Sequence, residues 1–122
     1  MSQSILFVDD EIPIRETLSL CFKRKGLDVT TAGTGKEAVA QAEKTPFDLV
    51  ILDVNLGEES GLDLLDFFKR TYPKLPVIMF TGAAHDPVVR SKAMDKGASA
   101  VLSKTEPLDN LIKEVQQAMA NS

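Results

Sequence analysis

The sequence predicts an α/β domain in which a five-stranded, doubly wound parallel sheet is covered by helices on both faces. Five short apolar runs rich in β-branched residues recur along the chain, and stretches with helical periodicity separate them. Glycines and prolines fall at the joints between the two patterns. Strands that are apolar on both sides must be covered on both, and strictly alternating helices supply that cover when the strands run parallel.

The first run, Ile5 to Val8, opens the sheet. Ile14, Leu18 and Phe22 then repeat at helical spacing, and that helix ends in the only basic run, Lys23, Arg24 and Lys25, just before Gly26. Positive charge there meets the carbonyl end of the helix, so the run has a structural reading. Cys21 sits among Leu18 and Phe22 and is expected to be a buried small hydrophobe; as the single cysteine it excludes an intramolecular disulfide. Val29 to Ala32 forms the second strand, and Ala38, Val39 and Ala42 mark the second helix. Pro46 leads into the third strand, Leu49 to Asp53, and Leu62, Leu65 and Phe68 follow as the third helix. Pro73 and Pro76 precede the fourth strand, Val77 to Thr81, with Val89 and Ala93 on the fourth helix. Ala100 to Ser103 is the fifth strand. Leu108, Leu111, Ile112, Val115 and Met119 give the clearest amphipathic helix, and Gly61 and Gly97 stand near proposed helix ends.

With 122 residues the chain is expected to be one domain, 1–122, and 43% hydrophobic with 26% charged residues is ordinary for a globular protein. A formal charge of −4 gives no reason to expect nucleic acid as a partner. No signal peptide is discernible and no apolar stretch approaches ~18 residues, so neither export nor membrane insertion is expected, and a reducing cytoplasm fits. The sequence stops after the fifth helix, which leaves no room within it for an output domain: it acts alone by docking, or is a fragment of a longer protein.

In sheets of this kind functional groups gather at the carboxyl ends of the strands. "LFVDDE", residues 6 to 11, carries the first strand into three consecutive carboxylates, Asp9, Asp10 and Glu11. Such a cluster is costly unless something cationic compensates it. Asp53 ends the third strand, Thr81 ends the fourth and Lys104 follows the fifth, so five polar groups converge on one edge. Three carboxylates within reach of one another make an oxygen site for Mg²⁺, which keeps several waters and shares a phosphate oxygen. A carboxylate beside that ion can attack phosphorus. Lys104 would offset the charge of the transferring group, and the Thr81 hydroxyl would donate to one of its oxygens.

These residues resemble the receiver domains of two-component response regulators. The resemblance covers essentially the whole chain, in the order "VDDE", "LVILDVNL", "GLDLL", "VIMFTG", "KGASAVLSK". It implies a flavodoxin-like strand order 2-1-3-4-5 with five helices. It also implies that Asp53 is the phosphoacceptor, that Asp10 binds Mg²⁺ directly and Asp9 largely through water, and that Asn55 supplies a backbone carbonyl. Thr81 and Lys104 become the switch hydroxyl and the phosphoryl-pairing lysine. The implied partners are a histidine kinase or phosphotransfer protein, and downstream a protein partner or a second copy of the chain; nothing in the residues names the kinase or the pathway. The implied chemistry is self-phosphorylation from phosphohistidine and slow self-dephosphorylation, not conventional enzymology. A pseudo-receiver, an interaction module with no phosphorylation, is the alternative that intact Asp10, Asp53, Thr81 and Lys104 argue against.

Two positions depart from the pattern. Val101 stands where receivers commonly carry an aromatic residue, and Lys104 is followed by Thr105, with the usual proline displaced to Pro107. A non-prolyl cis bond costs ~2.5 to 4 kcal/mol, so the Lys104–Thr105 peptide is either trans or held under strain. Three other readings fail on residues. "AGTGKE", 32 to 37, has Thr30 where a P-loop needs its first glycine and Glu37 where it needs Ser or Thr. A haloacid dehalogenase would carry its paired aspartates after the first strand, and a flavin site would want a Ser/Thr/Gly-rich loop where this chain has acid. His85 has no orienting partner in the sequence and reads as an exposed loop residue.

Overall fold

The structure is a computed structural model that describes residues 3–120. Five strands, β1 (Ser4–Val8), β2 (Asp28–Ala32), β3 (Leu49–Leu52), β6 (Val77–Thr81) and β7 (Ala100–Ser103), form one parallel sheet in the order β2-β1-β3-β6-β7. Two-residue strands β4 (Asn55–Leu56) and β5 (Glu59–Ser60) make a separate antiparallel hairpin. Setting that hairpin aside, the order is the expected 2-1-3-4-5. Five helices, α1 (Ile12–Arg24), α2 (Gly35–Lys44), α3 (Gly61–Thr71), α4 (Pro87–Asp95) and α5 (Leu108–Ala120), alternate with the strands. None is long and apolar enough to cross a membrane among the described residues.

Period-two alternation splits each central strand between two cores. Leu6, Val8, Val50, Leu52, Val77 and Met79 pack with Ala38 of α2, Leu65 and Phe68 of α3 and Ala93 of α4. Their neighbours Ile5, Phe7, Leu49, Ile51, Ile78 and Phe80 face the other way, onto Leu18 and Phe22 of α1 and Leu111, Val115 and Met119 of α5. Each fully buried aliphatic or aromatic side chain contributes roughly 1.5 to 3 kcal/mol. That burial holds the strand ends in register.

Helix starts are locally encoded. Thr34 caps α2 by accepting from Glu37 N at 3.1 Å, and Asp86 caps α4 by accepting from Val88 N at 2.9 Å. Pro87 opens α4, where its missing N–H costs nothing. Lys23 and Arg24 lie in the last turn of α1, as the basic run predicts.

Two details differ from the sequence reading, and two that it left open are settled. The third strand ends at Leu52, so Asp53 lies just past it. Gly61, expected near a helix end, stands at the opening of α3, where a Cβ would collide with the Asp53 carbonyl oxygen. Cys21 is only half-buried: its neighbours Leu18 and Phe22 take the core-facing stripe of α1. No peptide bond is cis among the described residues, so Lys104–Thr105 is trans.

Candidate functional site

The sheet itself places the polar residues. Past the end of β1, Asp9 N donates to Ala32 O at 3.1 Å; past the end of β3, Asp53 N donates to Val8 O at 3.2 Å. Thr81 closes β6 fully buried, and Lys104 N reaches back to Thr81 O at 3.2 Å. Each functional side chain thus leaves a backbone that the ladder still fixes.

One oxygen from each of Asp9, Asp10 and Asp53 can be chosen so that all three lie within 4.8 Å of one another. Lys104 Nζ stands 2.6 Å from Asp53 Oδ2, 2.8 Å from Asp9 Oδ2 and 3.1 Å from Glu11 Oε2. Among the described residues it is the one cation in ion-pair contact with these acids. Asp53 Oδ1 accepts the Asn55 N–H at 3.2 Å, and Asp9 Oδ1 accepts the Glu11 N–H at 2.9 Å. Asp9 and Asp53 are buried while Asp10 faces solvent.

Charge is not balanced in this cluster. Burial lifts the Asp9 carboxyl above its ordinary value; the Lys104 ammonium and the Glu11 N–H offset only part of that, and the Asp53 charge adds to it. Burial by itself would lower Lys104, but the close contacts of its ammonium with Asp53, Asp9 and Glu11 outweigh it and hold the amine well above its usual range. The two directions are compatible, because one lysine cannot neutralise two buried carboxylates and a third at the rim. Asp9 Oδ2 shows the deficit most directly. It is buried and receives no hydrogen bond, the Lys104 contact at 2.8 Å being an ion pair without hydrogen-bond alignment. An orphaned carboxylate oxygen within an all-oxygen donor set fits a hard divalent cation such as Mg²⁺.

The sequence-predicted residues Asp9, Asp10, Asp53 and Lys104 therefore meet. Asn55 sits in the hairpin beside them, its N–H on Asp53. Thr81 Oγ1 is engaged as an acceptor from Ala83 N at 3.2 Å, which leaves its proton free to donate. The sequence quoted Glu11 without giving it a role; here it holds Lys104 instead of capping α1, for which its side chain makes no bond. In place of Lys-Pro, Ser103 Oγ and Thr105 Oγ1 lie 2.7 Å apart and Thr105 N donates to Ser103 Oγ at 3.1 Å, shaping the turn around Lys104. A hydroxyl two residues from another was the signal for that turn. The "AGTGKE" loop holds an acid of its own chain, since Gly35 N donates to Glu59 Oε1 at 2.9 Å. His85 is exposed, with Nε2 3.9 Å from Glu106 Oε1 and away from the carboxylates.

Comparisons with known proteins agree with this geometry. The family model for the response regulator receiver domain matches residues 5–116. The response regulator protein PilR of Pseudomonas aeruginosa is 36% identical over 118 residues, covering 96% of this chain and 26% of PilR. The transcriptional regulatory protein ZraR of Escherichia coli is 33% identical, covering 97% of this chain and 26% of ZraR, so the chain spans about a quarter of the length of such relatives. Among solved structures, Vibrio cholerae chemotaxis protein CheY4 superposes with a TM-score of 0.90 at 31% identity, covering 97% of this chain and 99% of that one. A CheY-like receiver domain protein from Methanospirillum hungatei reaches a TM-score of 0.94 at 25% identity, covering 99% and 96%. A family model spanning nearly the whole chain, on a fold and strand-end cluster of this kind, identifies the chain as a member of the response regulator receiver domain family of two-component systems.

Proposed function

We propose that this receiver domain is a phosphoryl-accepting switch in which Asp53 takes a phosphoryl group from the phosphohistidine of a histidine kinase or phosphotransfer protein. The observation that carries this is Lys104 Nζ at 2.6 Å from Asp53 Oδ2, within a set of acids that a single lysine leaves under-neutralised. An Asp53 oxygen attacks phosphorus as the P–N bond to the imidazole breaks, and the departing imidazole nitrogen takes up a proton. Lys104 follows the new charge, exchanging carboxylate contacts for a phosphoryl oxygen. Thr81 turns its free proton toward another of those oxygens. Asp9 and Asp10, with the Asn55 carbonyl, would hold Mg²⁺, which would draw a phosphoryl oxygen and offset the developing charge. Water attacking the same phosphorus reverses the modification slowly. A phosphorylation-independent module would have no use for a buried acid whose oxygen lacks a donor.

The signal is read on the outer face of residues 88 to 119. Val88 and Met94 expose apolar side chains there, 60% and 50% accessible, suited to a protein partner or a second copy of the chain in a cytoplasmic setting. One structural relative is described as a beryllofluoride-activated NtrC4 receiver domain dimer, at a TM-score of 0.90 and 30% identity.

Intact mass spectrometry after incubation with Mg²⁺ and acetyl phosphate should show one added phosphoryl group in the parent and none in Asp53→Asn. Equal labelling of the variant overturns the assignment.

A further inference from the structure

Between the loop that follows Thr81 and the edge strand β7 lies a cation that no carboxylate holds. Arg90, the fourth residue of α4, is exposed as a residue, yet its Nη1 turns inward and donates to Ala84 O at 3.2 Å and to Val101 O at 3.1 Å. No acid lies within ion-pair distance of it among the described residues. A guanidinium committed to two main-chain carbonyls from two different elements is a rigid fork, and its stem fixes the helix that bears it. That helix needs fixing. Ala93 is its one buried residue, while Val88 and Met94 face solvent, so α4 has little apolar hold on the sheet.

The path from Arg90 to Thr81 is short. Thr81 Oγ1 accepts the Ala83 N–H, and the next residue, Ala84, presents the carbonyl that Arg90 grips. Ala84, Ala93 and Val101 are buried in one cluster, so the three ends of the brace share a packed base. A swing of the Thr81 hydroxyl toward a group on Asp53 gives up its bond to Ala83 and frees the loop on one side of Ala84 only. Arg90 still holds the other side. Loop motion must then either drag α4 along or break the fork, and a short valine side chain at 101 offers no other bridge.

We propose that Arg90 is a positioning residue that pins the loop 82–86 to β7 and passes the displacement of Thr81 on to α4. The second half of this rests on the phosphoryl-acceptor reading of Asp53; the first half does not.

Amide hydrogen exchange on the full chain tests both halves. Arg90→Met keeps the stem and removes the donors, whereas Arg90→Lys keeps the charge and can reach one carbonyl. In Mg²⁺ alone, exchange at residues 84–90 should rise about tenfold in Arg90→Met and less in Arg90→Lys, with β1 and β3 unchanged. With beryllofluoride added, the parent should change protection in both 82–86 and 87–95. In Arg90→Met the change in 82–86 should persist and that in 87–95 should fall to less than about half, while Asp53 still labels to within about twofold of the parent. Unchanged exchange at 84–90 in the absence of beryllofluoride overturns the brace. A full α4 response in Arg90→Met overturns the transmission. A parent that neither labels nor responds to beryllofluoride sinks the Asp53 reading and the transmission with it, and the brace is still judged by the first comparison. If Arg90→Met fails to fold by circular dichroism, the same comparisons are read from Arg90→Lys.

Discussion

Replacing Lys104 with methionine would remove the one ammonium in contact with Asp9 and Asp53 while keeping most of the side chain's length. Asp9 is fully buried and Asp53 is 5% exposed, so the variant holds two adjacent carboxylates with no cation between them. Deleting one partner of a buried ion pair costs about 3 to 5 kcal/mol. The lower end applies here, because Asp10 and Glu11 open the cluster to solvent and Lys104 keeps 14% of its side chain accessible. A loss of about 3 kcal/mol, at roughly 3 to 5 °C per kcal/mol for a domain of this size, lowers the metal-free thermal midpoint by about 10 °C. The same change removes the competitor for the acidic oxygens, so Mg²⁺ should bind at least about tenfold more tightly and recover much of the loss. Acid should recover it too. Without the lysine the Asp9 carboxyl, already raised by burial, loses the contact that offsets the rise, so its contribution to stability is present at low pH and is lost as pH rises through the raised value. The gap between parent and variant therefore closes as pH falls from about 7 toward the carboxylate range near 4. Thermal unfolding in EDTA and in Mg²⁺ at both pH values, with calorimetric titration of Mg²⁺, measures every part. A variant that melts within about 2 °C of the parent in EDTA near pH 7, or that binds Mg²⁺ more weakly, refutes the reasoning.

In the parent, Asp9 is the acid held above its ordinary value, so Asp9→Asn should raise the metal-free midpoint and weaken Mg²⁺ binding together. Asp10→Asn, at an exposed position, should weaken Mg²⁺ binding with a smaller gain in midpoint; metal-free melting of the pair in the reverse order contradicts the burial argument. The same sign governs pH: stability tied to a protonated Asp9 is lost as pH rises through its raised value, so the stabilisation by Mg²⁺, which holds the carboxylate ionised, should grow across that window in a thermal-shift series. Gly61→Ala should cost about 3 kcal/mol or more in chemical denaturation, since its Cβ meets the Asp53 carbonyl, a backbone atom that cannot turn aside.

The sheet was legible because Leu49 to Leu52 and Val77 to Thr81 are buried on both faces, and a run that is apolar at every position has few other places to go in a chain that alternates with helices. The hairpin after Asp53 was not, since two-residue strands carry no periodicity and Gly57 alone does not announce one. Cys21 illustrates a smaller limit. Helical spacing says that it lies near Leu18 and Phe22, but one residue is 100° of rotation, enough to move a side chain from the core to its margin.

The strand-end cluster could be read for the opposite reason, because Asp9, Asp53 and Thr81 are polar groups at positions the fold buries. What the sequence could not state is how those charges pair. Three acids and a lysine at strand ends are equally consistent with a closed network, in which every oxygen finds a donor, and with an open one. A closed network would be rigid and indifferent to ions. In the structure Lys104 is divided among Asp53, Asp9 and Glu11, and Asp9 Oδ2 is still left without a hydrogen bond. A cluster that its own chain cannot satisfy is stabilised by whatever cation enters it, and its lysine is free to leave one anion for another of higher charge. That incompleteness, more than the identity of any single residue, is what supports the proposal that this edge of the sheet receives a metal ion and a phosphoryl group.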